Sequence, residues 1–515
     1  MLALPIFRCI HQIIIQMRII AISLLLITLN LKAYSQNRVK QIDSLVKTRI
    51  ADYELSGNVL VAEKGKVIYQ HSTGLANTAS NTPVTPASAF HLASVSKIFT
   101  SVAIFQLYEK GKLLLNDPVK KYIPELNNGV VTISQLLSHT SGLVDFQILE
   151  RPYLQDTSKI FTLVDIPVAI NNDKNAFASA PGEKWSYSNT GYNLLALIVE
   201  KIAKTSFPDY LSKNLFKPAG MLHTYINTPL IKVSDANRVT GYDYLNFAPW
   251  VLQRADSLRQ NQIELLHING LVGMGNVVTT TEDLLGFDRA LYHGKIIKRS
   301  SLDKAFTPVR LNNGELAVRG WKNTLSYMGL GWCVLKDTTY GKVVFHTGGM
   351  AGAVTAFIRN ITKDQTVIVL NNVTQRSTHN TAMSVLYLLN GGTPQTDKKS
   401  SANEFARTLT KYGVNEAWAR FNTIKTDTAH FYTDEREFNM AGIGMFFNNY
   451  KAQGLEVLRL NTVLFPNSAN VYDSLAMALA ESGDKRSAIL MYQKALELDP
   501  KLISSLNGMK KLTAN

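Results

Sequence analysis

Cysteine is almost absent. Cys9 and Cys333 are the only two in 515 residues, and Cys9 lies in a segment expected to be removed. One remaining thiol excludes an internal disulfide, so the chain must rely on a large core. Cys333, between Trp332 and Val334, reads as a small buried residue rather than a nucleophile. No run of five or more basic residues occurs, although Lys and Arg number 54 against 39 Asp and Glu and the net charge is +15. The helix and zinc-finger signatures of nucleic-acid readers are also missing. The charge therefore reads as attraction to anionic surfaces such as envelope polymers, not nucleic-acid binding. No H-E-x-x-H spacing occurs, and neither a metal nor another cofactor is expected. Charged residues are 18% against 46% hydrophobic, the balance of a globular core.

The longest apolar run stands at the start. Arg18 precedes Ile19 to Leu29, and Ala33-Tyr34-Ser35 supplies small residues ahead of Gln36, so residues 1–35 are expected to be a cleavable signal peptide directing the chain to the periplasm or outside. Met17 offers an alternative start. The competing reading is an uncleaved anchor over Ile13 to Leu31, interrupted by Gln16, Arg18 and Asn30. Cleavage would remove Arg8, Arg18 and Lys32 and leave a net charge of +12.

Ser94-Val95-Ser96-Lys97 opens an apolar stretch, Ile98 to Leu107, with the composition of a mostly buried helix. Residues three apart on a helix share a face, so hydroxyl and amine enter one small volume. A serine hydroxyl is a weak nucleophile until a proton acceptor stands beside it. Lys97 can be that acceptor, its neutral form favoured by the positive amino end of the helix. Alone, the spacing also fits a capping serine and a solvated lysine. Pro181 to Asn189 is turn-rich and carries Tyr187 and Asn189, which face the same way in an extended backbone. A phenol beside an ammonium is expected to have a lowered pKa and to serve as general base and acid; the alternative is a surface loop tyrosine. His346-Thr347-Gly348-Gly349 lies between strand-like runs, Lys342 to Phe345 and Ala353 to Ile358. The N–H groups of Gly349 and Ser94 form a candidate oxyanion pair, against a plain hairpin with an incidental histidine.

In this order the three motifs resemble the serine β-lactamase and penicillin-binding-protein superfamily, closest to its class C, esterase or D-aminopeptidase-like branch. Leu136-Leu137-Ser138-His139-Thr140-Ser141-Gly142-Leu143, Pro218-Ala219-Gly220-Met221 and Gly273 to Leu284 are similar to further segments of that family. The resemblance implies Ser94 as acyl-forming nucleophile, Lys97 as its activator, Tyr187 as proton carrier and Asn189 as orienter of the substrate amide. His346, Thr347, Gly348 and Gly349 would line the opposite wall. The family's commonest pattern has lysine where His346 stands, and a histidine is mostly neutral at pH 7. This departure shifts the expectation from penicillins toward ester, amide or D-amino-acid peptide substrates.

Val59 to Ala62 and Val67 to Tyr69 read as a hairpin, and strands are expected near Gly329 to Leu335, Val343 to His346, Ala353 to Arg359 and Thr366 to Asn371. The family resemblance implies an α+β fold: an antiparallel sheet flanked by helices, with a mostly helical insertion around residues 100–290. This hydrolase domain is assigned to 36–390. A polar linker follows over 391–402, then an all-α repeat domain over 403–515. There Pro466 and Pro500 stand 34 residues apart, as do Phe438 and Tyr472, a period that resembles tetratricopeptide repeats over 435–468 and 469–502. Residues 403–434 are expected to add a degenerate helix pair and Leu502 to Leu512 a cap. Expected partners are a small-molecule or peptide substrate, with cell-wall fragments among the candidates, and a protein or peptide at the repeats. Two other functions compete: a non-catalytic sensor or scaffold, and a D-alanyl-D-alanine carboxypeptidase or transpeptidase.

Overall fold

The computed structural model describes residues 36–513, apart from 128–129, 322–323, 376 and 396–397. The expected signal segment over 1–35 lies outside the described residues. Contacts divide the chain into two units: residues up to 242 with 255–395, and 243–254 with 396 onward.

In the first unit an eight-stranded sheet runs in the order Val318–Trp321, Thr324–Met328, Cys333–Leu335, Val343–Met350, Ala353–Asn360, Gln365–Asn371, Gly57–Glu63, Lys66–Thr73. Every neighbouring pair is antiparallel. The amino-terminal hairpin completes the sheet against its last strand in sequence, with Val59 opposite Val369 and Leu60 opposite Ile368. Side chains alternate with period two, so each strand serves two cores. Val59, Val61, Val367, Val369 and Ile358 pack with Ile42 and Val46 of a helix over 36–51 and with Val385 and Leu386 of Thr378–Leu389. Leu60, Ile368, Leu370, Phe357 and Val344 pack on the other side with Phe99, Val102 and Phe105 of Lys97–Glu109. Burial on both faces explains why GNVLVAE and QTVIVLN are apolar almost throughout.

Three local expectations change. Ser94 does not open an α-helix: Ala93–Ser96 is a 3-10 turn, and the α-helix begins at Lys97. Three residues per turn eclipse positions i and i+3, which stacks Ser94 and Lys97 more directly than an α turn would. The strand expected from Gly329 to Leu335 is extended only over Cys333–Leu335. Gly331 takes φ +98° there, and a Cβ on it would meet Ser101 at 2.4 Å. Val318–Trp321 and Thr324–Met328 add two strands whose polar and glycine content hid them from sequence reading.

In the second unit, helices Glu435–Phe447 and Lys451–Leu464 are followed, at the offset seen in the prolines, by Ala469–Glu481 and Lys485–Leu498. Gly442 and Gly454 let the first pair touch, since a Cβ on Gly454 would lie 2.7 Å from the Gly442 carbonyl. Ser401–Tyr412 and Val414–Ile424 come before, and Ile503–Thr513 after. Ser400 caps the first of these helices, its Oγ accepting from Asn403 N, so the polar 391–402 stretch already contains a helix start. Residues 243–254, inside the stretch assigned to the hydrolase, belong to this unit. Phe247 and Ala248 are buried there among Phe405, Phe421, Phe438 and Met445.

One buried ion pair ties sheet to helix. Arg359 Nη1 donates to Asp288 Oδ2 at 3.0 Å, and the guanidinium lies 4.3 Å from the centre of the Tyr292 ring. Burial outweighs that cation and pushes the Asp288 carboxyl up to about 6. Arg359→Met is expected to lower the unfolding free energy by about 3–5 kcal/mol in denaturant titration, because it strands a buried acid, and Arg359→Met/Asp288→Leu should recover most of the loss.

Candidate active site

Ser94 Oγ sits between two groups. Lys97 Nζ lies 3.0 Å away, and the Tyr187 hydroxyl donates to Ser94 Oγ at 2.8 Å. Lys97 is fully buried, and Nζ also donates to Asn189 Oδ1 at 2.6 Å and to the Met274 carbonyl at 2.8 Å. Burial is the main cause lowering its pKa to about 7, with the Arg319 charge acting the same way and Asp145 opposing both. Near neutral pH a large share of Lys97 is therefore an uncharged amine. Such an amine has two N–H donors and one lone pair. The two carbonyl oxygens can only accept, so they take both donors and leave the lone pair to the Ser94 hydroxyl. This is the geometry of a proton acceptor.

Tyr187 and Asn189 arrive on a loop that becomes helix Asn189–Ala203, where Ser188 Oγ caps the amino end by accepting from Gly191 N. The lowered phenol pKa expected from the sequence is reversed: burial raises Tyr187, more strongly than the Ser94 hydrogen bond and Arg319 lower it. The phenol is a proton donor in the resting site. Asn189, expected to orient the substrate amide, is engaged on both ends of its own. Its Nδ2 donates to Asp145 Oδ2 and its backbone N to Asp145 Oδ1, each at 2.9 Å. This fixes which end of the amide faces Lys97.

The His346 to Gly349 strand passes against the nucleophile turn. A Cβ on Gly348 would lie 2.3 Å from the Leu92 carbonyl and 3.1 Å from Ser94 N, so only glycine allows the approach. Gly349 is exposed with open space around it. His346 is buried, and its Nδ1 donates to the Thr347 carbonyl at 2.8 Å. Desolvation, then Lys97 and Arg319, lower its pKa to about 3, so it is neutral. The fixed charge is on Arg319: Nη2 donates to Thr347 Oγ1 at 3.4 Å and Nη1 to Cys333 Sγ at 3.2 Å.

Sequence reading missed Asp145, Arg319, His139, His91 and the Met274 carbonyl. His139 lies within the Leu136 to Leu143 segment and Asp145 two residues beyond it. A backbone carbonyl has no signature in a side-chain alphabet. His91 Nδ1 accepts from Ala93 N at 3.2 Å, so its Nε2 donates to Asn276 Oδ1 at 3.1 Å. This pair holds Ala93 at φ +47°, a left-handed conformation just before Ser94.

A base is active when deprotonated, so kcat/KM is expected to rise through about pH 7 as Lys97 loses its proton. Asp145→Asn removes the charge that raises Lys97, and the rise should move to lower pH. An unchanged midpoint in a pH–rate profile would show that Asp145 does not act on Lys97.

A family model described as Beta-lactamase matches residues 42–450. Penicillin-binding protein 4* of Bacillus subtilis is 38% identical over 339 residues, 65% of this chain and 72% of that protein. A penicillin-binding protein from Bacillus halodurans superposes with TM-score 0.54 at 25% identity, over 67% of this chain and 97% of that one. The D-amino acid amidase from Ochrobactrum anthropi SV3 gives TM-score 0.56 at 20% identity, over 69% and 97%; that likeness carries the fold alone. The extent of the family match, together with the identity to Penicillin-binding protein 4*, shows that this chain belongs to the β-lactamase family and is a serine hydrolase of the penicillin-binding-protein superfamily.

Proposed function

We propose that the chain is an exported hydrolase that opens ester, amide or D-amino-acid peptide bonds through an acyl-enzyme on Ser94. Lys97 takes the Ser94 proton as Oγ bonds to the substrate carbonyl carbon. The N–H groups of Ser94 and Gly349 receive the oxyanion, and the bond to the leaving group breaks as Tyr187 protonates it. Water then gives a proton to the Tyr187 phenolate as it attacks the acyl carbon, and Ser94 Oγ leaves with the proton held on Lys97, which releases the acid and restores all three groups. The observation that carries this reading is Ser94 Oγ held at once 3.0 Å from a buried amine and 2.8 Å from a neutral phenol. A sensor or scaffold needs no such network, which weighs against the non-catalytic alternative.

Arg319 favours substrates with a carboxylate near the Thr347 wall, because it supplies the permanent charge that the neutral His346 lacks. This keeps a D-alanyl-D-alanine carboxypeptidase or transpeptidase as the second reading. The second unit reads as tetratricopeptide-like, with a peptide or protein as its partner. Among the described residues no helix is long and apolar enough to cross a membrane, and export rests on the 1–35 segment.

A fluorophosphonate probe is expected to label the native protein and not Ser94→Ala; equal labelling would remove Ser94 from the mechanism. Arg319→Ala should raise KM for a D-alanyl dipeptide by about 10- to 100-fold, the worth of a charge-assisted hydrogen bond, while KM for p-nitrophenyl butyrate stays within about twofold. Equal effects on the two substrates would show that Arg319 does not meet the carboxylate.

A further inference from the structure

Residues 181–188, which deliver Tyr187, form neither helix nor strand. A loop alone does not hold a phenol to hydrogen-bond tolerance, so something outside it must. His139 contacts this loop in three ways. Its carbonyl accepts from Ser186 N at 2.8 Å, and its Nδ1 accepts from Ser188 N at 3.1 Å. Its ring stacks on the Tyr187 ring with centroids 4.3 Å apart and planes at 30°. The two amides flank Tyr187 on either side, which stops the backbone from twisting there. The imidazole in turn backs the phenol, and Lys97 Nζ lies 5.1 Å from the centre of the same ring.

His139 thus offers both its carbonyl and its ring nitrogen to the same loop. His139 has φ +57° and is fully buried, and the segment around it repeats the pattern. Gly182 N donates to the Thr140 carbonyl at 2.7 Å, Ser188 Oγ to the Val144 carbonyl at 3.3 Å and the Tyr192 hydroxyl to the Leu137 carbonyl at 2.8 Å. Because Nδ1 accepts from an amide, the neutral imidazole carries its proton on Nε2, which has no protein partner among the described residues. Its Nδ1 is therefore committed to the loop and its ring face to stacking.

We propose that His139 is a positioning residue for Tyr187, clamping the loop on both sides of the phenol so that its hydroxyl meets Ser94 Oγ and the leaving group. The proposal rests on the reading of Tyr187 as proton donor to the leaving group. A donor matters most when the leaving group is poor and little when it departs as a stable anion. Loss of the clamp should therefore cost more on ethyl butyrate than on p-nitrophenyl butyrate.

The test measures kcat on both esters for wild type, Tyr187→Phe, His139→Asn, His139→Phe and His139→Asn/Tyr187→Phe, each referred to active sites titrated with a fluorophosphonate so that misfolded protein does not count. Asparagine tolerates a positive φ and keeps an acceptor for Ser188 N but loses the stacked ring, whereas phenylalanine keeps a ring and loses the acceptor. His139→Asn is expected to lose about tenfold on the ethyl ester and His139→Phe up to about a hundredfold, the scale of an ångström-level misplacement, with losses under about threefold on the p-nitrophenyl ester. In the Tyr187→Phe background, His139→Asn should cost nothing further. Equal losses on the two esters, or an undiminished loss in that background, would overturn the clamp while leaving the Tyr187 reading intact. If Tyr187→Phe itself shows no dependence on the leaving group, the Tyr187 reading and the clamp fall together.

Discussion

A lysine amine without solvent is the constraint around which the hydrolase unit is built. Lys97 starts a helix whose next ten residues are buried, and an ammonium there would lack the water that normally stabilises it. The Asp145 carboxylate offsets this only in part, since burial still outweighs it; the protein adds a second means. It provides two carbonyl oxygens, one from Asn189 and one from Met274, which serve the neutral amine as well as the charged one. The consequence is an amine poised near neutrality whose remaining valence points at a hydroxyl. Desolvation thus supplies the base and the hydrogen-bond pattern supplies its direction.

Three remote stretches supply the rest. Residues 137–145 underlie the Tyr187 loop, and Asp145 sets the orientation of the Asn189 amide. The 273–277 loop contributes the Met274 carbonyl and is fixed to the nucleophile helix by Thr100 Oγ1, which donates to the Gly273 carbonyl at 2.6 Å. The sheet contributes a wall so close to Ser94 that position 348 admits no side chain. None of these stretches is near Ser94 in sequence, yet each restricts a different degree of freedom of the same four polar atoms. The family match spans them all.

The pattern of what could be read from the sequence follows from the kind of signal each group leaves. Ser94 with Lys97, and Tyr187 with Asn189, are short-range pairs whose spacing is itself the geometry, so they were visible, and the structure joins all four. The alternating apolar strands over 57–63 and 365–371 were visible because both faces are buried. The phenol pKa differs from the expectation because burial, a long-range sum over packing, outweighs the Ser94 hydrogen bond and the Arg319 charge. Asp145 and Arg319 were hidden because their meaning lies in partners at least 14 residues away. The 243–254 hairpin was assigned by chain position, whereas Phe247 found its apolar partners in helices beyond residue 400.

The site works only if a large share of Lys97 is an uncharged base near neutral pH. The most direct measurement is an NMR titration of Lys97, with the side chain carbon- or nitrogen-labelled and assigned by comparison with Lys97→Met. A midpoint near 7 is expected, as burial requires. A midpoint above about 10, that of an ordinary solvated lysine, would contradict it.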